Sequence, residues 1–358
     1  MNKKVDVCIV GGGPGGALLA NLLAKKNISV LLIERTNEFA KTFRGEHLNE
    51  EGERILREHG LFERIEQLGL LRMETLEYWQ NGECVKTILP DEHVGHLGIH
   101  VPQAHLLEAI IEQAKTYPMF DYMLNTSVKE LIHNDQGHYT ALRAVQNGEE
   151  LLIESQLIIG ADGRHSSVRK LANLDTTVRS HGYDLLWARI PQPAGWTPSI
   201  KMALVDNMQI SLFTQSKGYV QIGWNIEKGT YPTLRKQPFT PFIEKLCVAF
   251  PQLAPSINEH IQSWKDFVLL DVFSSTSEQW EKDGVILIGD AVHTMTPTGA
   301  FGLNSALMDA HILAQHLMQE EAFDFVSCAT KRKKDIAKIQ AMQIEKEQKF
   351  SEAFVVFN

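Results

Sequence analysis

Two clusters of residues in this 358-residue chain have the types and spacing to grip a large phosphate-bearing cofactor. In Val10-Gly11-Gly12-Gly13-Pro14-Gly15-Gly16, the residues Gly11, Gly13 and Gly16 carry the G-x-G-x-x-G spacing. The first glycine permits a tight turn, the second lets backbone approach a pyrophosphate, and the third lets the following helix pack on the preceding strand. Pro14 and Gly15 complete that turn as part of the same binding element. Glu34 places a carboxylate where it can accept hydrogen bonds from a ribose diol and would repel a 2′-phosphate, and Arg35 follows it in the same candidate set. The second cluster is Gly289-Asp290-Ala291-Val292-His293 with Pro297-Thr298-Gly299-Ala300-Phe301-Gly302-Leu303-Asn304. Each alone is a modest signal. Together they suit one long two-part dinucleotide, FAD, whose halves can need binding turns far apart in sequence.

The elements that must position these groups are legible as well. Val5–Val10 reads as a strand buried on both faces of a parallel sheet, followed by a helix over about 15–26 whose N-terminal N–H groups and dipole favour phosphate charge. A second apolar run, Ser29–Ile33, ends at Glu34. Leu157–Ile159 reads as another buried strand leading into Gly160-Ala161-Asp162-Gly163-Arg164 and a helix start capped by Ser166 or Ser167. Val285–Ile288 is a further buried strand that ends near Asp290, a group suited to sugar or ribityl hydroxyls. A helix predicted over 303–318 would aim its positive N-terminus at a flavin's pyrimidine edge and stabilise the anion formed on reduction.

The glycine fingerprint, the G-A-D-G-x-x-S-x-V-R element and the G-D-A-x-H…P-x-G-x-x-G-x-N element resemble those of the FAD-dependent aromatic-ring hydroxylases, flavoprotein monooxygenases with the p-hydroxybenzoate hydroxylase fold. The likeness spans essentially the whole chain in order. It implies an α/β fold: a Rossmann-like FAD-binding domain, an inserted and mainly antiparallel β-sheet substrate domain, and a C-terminal helix. It also implies that Gly11, Gly13, Gly16 and Glu34 hold the ADP half, and that Arg44 lies beside the pyrophosphate and ribityl region. Gln103 would contact the flavin, Val128 the adenine through backbone atoms, and Asp162 would belong to an element linked to both FAD and the nicotinamide cofactor. Asp290, Gly302, Leu303 and Asn304 would bind the ribityl chain and the isoalloxazine edge. NADH or NADPH would reduce the flavin, and O₂ would be captured as a C4a-hydroperoxide that hydroxylates a small, electron-rich aromatic or quinol-like substrate. The chain departs from the family pattern at Ala300-Phe301, where many members carry Gly-Gln, and it stops at Asn358 on an apolar run, as expected of either a compact member or a truncated larger one.

Groups that could tune such chemistry are fewer. His47 follows Glu46 near the expected flavin site, Pro297 shapes the loop with its carbonyl near the reaction centre, and His293 has a hydrogen-bonding role within its motif. Trp187, Phe213 and Trp224 are candidates to line an aromatic substrate pocket. No catalytic triad is expected, because the cofactor carries the difficult chemistry.

The domain reading is discontinuous: 1–75, 96–175 and 275–320 for FAD, 76–95 and 176–274 for substrate, and 321–358 as a C-terminal helix packed on the FAD domain. Asn81-Gly82 marks a hairpin turn. A net charge of −9 argues against a nucleic-acid surface, and Lys331-Arg332-Lys333-Lys334 reads as a solvated helix face. Met1-Asn2-Lys3-Lys4 leads straight into a strand, no run is long and apolar enough to span a membrane, and four scattered cysteines lack metal spacing. These features suit the cytoplasm, with no metal, and leave oligomeric state open. Alternatives are a flavin-dependent reductase or dehydrogenase on the same architecture, or a flavoprotein that no longer reacts. A halogenase shares the fold, but Trp187-Ala188-Arg189-Ile190-Pro191 lacks the second tryptophan of the W-x-W-x-I-P element.

Overall fold

The computed structural model describes residues 2–39, 46–318 and 325–350. Strands Asn2–Val10 and Val30–Ile33 lie parallel inside an eight-stranded sheet. Val30–Ile33 and the second half of Asn2–Val10 are fully buried, as apolar runs without alternation require. Glu149–Gly160 pairs in parallel with the other side of Asn2–Val10, Val285–Leu287 continues beyond it, and Phe120–Met123 extends the opposite side. Tyr139–Gln146 and Thr126–His133 add an antiparallel extension to Glu149–Gly160.

Helix α1 (Pro14–Lys25) starts directly after the glycine turn, with Pro14 at a first-turn position that needs no N–H. A Cβ on Gly16 would lie 2.1 Å from the Gly11 carbonyl oxygen, so that glycine is what seats the helix against the strand. Helix α2 (Glu50–Glu58) is capped by Asn49, whose side chain accepts from the Gly52 N–H at 2.9 Å. Helix α3 (Gln103–Ala114) packs beside α1 over a common core that includes Leu18, Leu22, Leu106 and Ile110. On the other face of the sheet lies the short α4 (Ser167–Leu171), with Val168 in a second core beside Ile158 and Leu287.

A seven-stranded sheet covers the strand ends. Its order is Val268–Leu270, Tyr183–Pro191, Tyr219–Glu227, Met208–Gln215, Ser199–Val205, Thr75–Gln80 and Glu83–Ile88. Every neighbouring pair is antiparallel except Ser199–Val205 with Thr75–Gln80. Asn81 and Gly82 both take positive φ, 53° and 82°, as a two-residue hairpin with matching twist requires. The outer face of this sheet buries Leu186, Ile210, Ile222 and Trp224 against Ile243 and Leu246 of helix α5 (Thr240–Ala249).

Helix α6 (Phe301–Leu317) begins two residues before its expected start, and α7 (Phe325–Gln348) packs back against it. The basic run on α7 is not a wholly solvated face, contrary to the sequence expectation. Arg332 is buried and donates to Asp309 of α6 at 3.0 and 2.9 Å. Its charge is absorbed by a partner that no local spacing announces. Among the described residues no helix is long and apolar enough to cross a membrane.

Candidate active site

The C-terminal ends of the parallel strands, the inner face of the seven-stranded sheet and the start of α6 enclose a cavity of about 1380 Å³. Open α/β sheets bind ligands at this end. Gly11, Gly13, Pro14, Gly15, Gly16, Glu34, Arg35, Gln103, Val128, Asp162, Asp290, Gly302 and Leu303 all line it, so motifs from three distant stretches meet at one space. Arg44 lies outside the described residues.

Each of these groups has a definable posture. Gly11 has φ 112°, and a Cβ there would meet the Ala161 carbonyl oxygen at 2.4 Å, whereas a Cβ on Gly13 would meet nothing within 4 Å. Gly11 therefore serves the fold, and Gly13 leaves room for a guest. Gly13 caps α1 without any side-chain cap or acidic first-turn residue, so its orphan N–H groups are available to an anion. Glu34 is buried and accepts from the Gly12 N–H at 2.8 Å and the Thr36 N–H at 3.0 Å, which orients the carboxylate at the cavity wall. Gln103 is buried with its amide side chain unpartnered among the described residues, while its backbone N–H donates to Glu46 at 3.3 Å.

Asp162 is turned toward α4. It accepts from Ser166 Oγ and from the N–H groups of Ser167 and Val168, at 2.6 and 3.2 Å. Burial pushes its carboxyl up, outweighing those bonds. The motif arginine Arg169, not singled out from sequence, is buried and ties the same turn to the Asp290 turn through the Ala291 carbonyl at 2.6 Å.

The loop before α6 has two left-handed residues in succession, Gly299 at φ 74° and Ala300 at φ 55°. Ala300 caps α6 without a side-chain hydrogen bond, so a second uncapped helix start faces the cavity. Pro297 lines the cavity, and its carbonyl accepts the Ala300 N–H at 3.0 Å. Asn304 departs from its expected place. It is buried, does not line the cavity, and its amide bonds the His47 carbonyl, the Asn49 N–H and the Ala300 carbonyl at 3.1, 3.1 and 2.9 Å. Its side chain locks two wall segments together instead of facing the cavity.

His47 lines the cavity edge-on to Phe213, with ring centroids 6.1 Å apart. A Cβ on Gly98 would sit 2.1 Å from its Nε2. Burial lowers its pKa to about 4, assisted by nearby His100 and His96. The ring is neutral at neutral pH, able to donate or accept one hydrogen bond but not to supply a fixed charge.

Strand alternation decides the roof. Leu185, Trp187, Gln209, Ser211, Phe213, Gln221 and Gly223 face the cavity. Trp224 does not: it is 3% exposed on the opposite face, stacked on Phe242 at 4.0 Å. Its assignment to a substrate pocket is corrected, because period-two geometry sends neighbours Gly223 and Trp224 to opposite sides. Glu46 is a further wall residue: its carboxylate meets His100 and Gln215 at 3.3 Å and joins the short strand Ile99–His100 to the roof strand Met208–Gln215. Away from the cavity, Glu58, His59 and His311 bring potential ligand atoms within 4.8 Å of one another, with the two imidazoles hydrogen-bonded at 2.9 Å. Glu58 and His59 belong to the end of α2 and His311 to α6, so linear spacing does not show them.

The residues fit a flavin dinucleotide. A glycine with open space where a Cβ would stand, two uncapped helix starts and a buried carboxylate surround a cavity larger than the roughly 300–1,000 Å³ usual for small ligands. Residues 4–322 match the family model described as FAD binding domain. The chain is 30% identical over 311 residues to 6-methylpretetramide 4-monooxygenase of Streptomyces rimosus, covering 85% of this chain and 73% of that protein. The fold is that of PqsL from P. aeruginosa, solved in complex with 2-aminobenzoylacetate, at a TM-score of 0.83 and 18% identity over 98% of this chain and 97% of that one. It is equally that of 2-methyl-3-hydroxypyridine-5-carboxylic acid oxygenase, at a TM-score of 0.80 and 22% identity over 98% and 92%.

Proposed function

This chain belongs to the FAD-dependent aromatic-ring hydroxylase family of flavoprotein monooxygenases, and from that premise we propose that it uses NADPH or NADH and O₂ to hydroxylate a small, electron-rich aromatic or quinol-like molecule. The observation that carries this reading is the meeting of three dinucleotide motifs at one cavity under an apolar and amide-bearing roof. Residues 1–75, 96–175 and 275–320 form the FAD-binding unit in this proposal. Residues 76–95 and 176–274 cover the substrate in the same proposal, and helix α7 (Phe325–Gln348) packs back on the first unit.

FAD, when bound, supplies two-electron transfer and the activation of oxygen. The chain's own residues do the rest. Gly13 and the N–H groups after it receive the pyrophosphate, and Glu34 accepts the ribose hydroxyls. Asp290 takes ribityl hydroxyls, and Arg35 and Val128 flank the ADP half. The N–H groups at the start of α6, around Gly302 and Leu303, stabilise negative charge on the ring edge nearest them. Gln103 offers an amide to the same ring system. Trp187 and Phe213 orient a planar substrate and exclude water, while neutral His47 and the Pro297 loop border the reacting space.

The test is an anaerobic titration of the FAD-reconstituted protein with NADPH, then NADH, followed by air. Bleaching of the flavin absorbance followed by reoxidation with peroxide release is the expected result. A bound flavin that neither nucleotide reduces moves the assignment to a dehydrogenase with another electron donor. A protein that takes up no flavin defeats the reading.

A further inference from the structure

We propose that Glu347 on helix α7 is a positioning residue of the active site, fixing the Thr296–Thr298 loop and the roof strand in register around the cofactor; this rests on the flavin reading above. The Glu347 carboxylate takes four hydrogen bonds. Oε1 accepts from Thr296 Oγ1 and Thr298 Oγ1, both at 2.7 Å, and from the Tyr183 hydroxyl at 3.0 Å. Oε2 meets His181 Nδ1 at 2.8 Å. Tyr183 and Thr298 both line the cavity, from the roof and from the loop respectively. One carboxylate therefore ties floor, roof and C-terminal helix together.

Two further side chains on the same helix face extend the tether. Gln343 donates to the carbonyls of Thr296 and Thr298 at 2.9 and 2.6 Å, and Gln340 donates to those of Ser275 and Thr294 at 3.1 Å. Positions 340, 343 and 347 share one side of a helix, since residues three and four apart are neighbours there. Both residues flanking Pro297 are thus held by carbonyl and hydroxyl at once. The loop needs such holding. It runs into Gly299 and Ala300 with positive φ and then into an uncapped helix start, and strained backbone persists where its surroundings over-determine it.

The position of Glu347 favours a role in the site over plain packing. Its side chain is 13% exposed, and burial alone would raise its carboxyl pKa. Bonds from His181, Thr298 and Thr296 hold it below the usual range instead, so it stays ionised and acceptor-only. An ionised acceptor fixes the direction of three hydroxyl protons, those of Thr296, Thr298 and Tyr183. Helix α7 lies beyond residues 4–322, the stretch that matches the family model.

The test compares full-length wild type with Glu347→Gln and Glu347→Ala. Amide hydrogen exchange across 294–303 is measured without cofactor, and the flavin absorption band shape and FAD release rate are measured after loading. Glu347→Ala is expected to speed exchange in 294–303 by about tenfold or more while strand Asn2–Val10 is unchanged. It should also alter the flavin band shape and speed FAD release. Glu347→Gln retains an oxygen that accepts from hydroxyls and should fall between the two. Equal exchange across 294–303 in the three cofactor-free proteins, or equal flavin band shapes and FAD release rates once they are loaded, would overturn the proposal, even if the melting temperature fell. Failure of the wild type to take up FAD is a separate result, and it overturns the cofactor reading beneath.

Discussion

Asp309 receives His293 Nε2 at 2.6 Å, and the same carboxylate oxygen takes the Gly289 N–H at 2.8 Å. A side chain from the middle of α6 thereby fixes the turn that presents Asp290 to the cavity. Its other oxygen takes the Arg332 fork from α7 at 2.9 and 3.0 Å.

Replacing Asp309 by Asn should cost about 3 kcal/mol, because buried Arg332 would lose its close counter-charge and keep Asp335 only at 3.9 Å. Burial pushes the Asp309 carboxyl up, but His293, Arg332 and the Gly289 N–H hold it net below its ordinary value. A depressed folded pKa stabilises the protein above the unfolded carboxylate pKa, and that stability is lost as pH falls through the folded value. Urea midpoints followed from neutral pH into the acid range should fall for wild type. The Asn variant should start lower and lose this contribution to the slope. Equal midpoints for the two proteins at pH 7 would refute the assignment.

The glycines of the first turn separate fold from binding. Gly16→Val should prevent folding, since its Cβ would stand 2.1 Å from the Gly11 oxygen. A Cβ at Gly13 meets no heavy atom within 4 Å, so Gly13→Val should fold with a near-normal melting temperature. It should bind FAD on the order of 100-fold more weakly, because the new side chain fills the space where backbone approaches the pyrophosphate. Equilibrium dialysis against FAD, beside a melting curve, checks both halves. A folded Gly13→Val protein that binds FAD normally would remove the N-terminal assignment.

Much of this site was legible before the fold was known. The turn at Gly11–Gly16, the acidic strand end at Glu34 and the uncapped start of α6 each depend on local geometry that sequence encodes directly. The hairpin at Asn81-Gly82 was legible for the same reason. What stayed hidden depends on neighbours distant in the chain. Trp224 and Gly223 are adjacent, and deciding which faces the cavity required knowing which face of the sheet α5 covers. Arg332 looked solvated because its partner Asp309 stands on another helix. Asn304 carried the right motif position, yet its amide is spent on His47, Asn49 and Ala300.

The two roof tryptophans should behave oppositely. Trp224→Ala empties a buried site stacked on Phe242 and should cost about 3–5 kcal/mol. Trp187 is half-buried at the cavity, and Trp187→Ala should shift substrate KM or the coupling of reductant use to product with a much smaller stability loss. Chemical denaturation ranks the two. A Trp187→Ala protein as destabilised as Trp224→Ala would place Trp187 in the core.

His47 contributes to acid sensitivity with a definite sign. Its folded pKa is about 4 against an ordinary 6.5, so the unfolded chain binds the proton more readily between those values. Stability therefore rises with pH across that window and levels off above it. His59, also lowered to about 4 by burial and by His311, acts in the same direction. Gln at position 47 should flatten the stability curve between pH 4 and 6.5 without changing it at pH 8 beyond a constant offset. A pH profile parallel to wild type would show that His47 is not the buried neutral group described.

Ala300 occupies a conformation that favours glycine. Its φ of 55° at the α6 cap sets Cβ against the following carbonyl, which costs roughly 1–2 kcal/mol for a residue with a side chain. The chain bears that strain at the helix cap, and the hydrogen bonds of Thr298 with Gln343 and Glu347 hold the preceding residue in place. Ala300→Gly relieves the strain in the folded state but widens the unfolded ensemble, an opposing effect of about 0.4–1 kcal/mol. The balance predicts a stabilisation of about 1 kcal/mol or less in urea unfolding. The same substitution should speed amide exchange locally in 298–301, because glycine leaves the loop more conformations once it opens. A destabilised Ala300→Gly protein would mean that the alanine methyl makes a packing contact outweighing its strain.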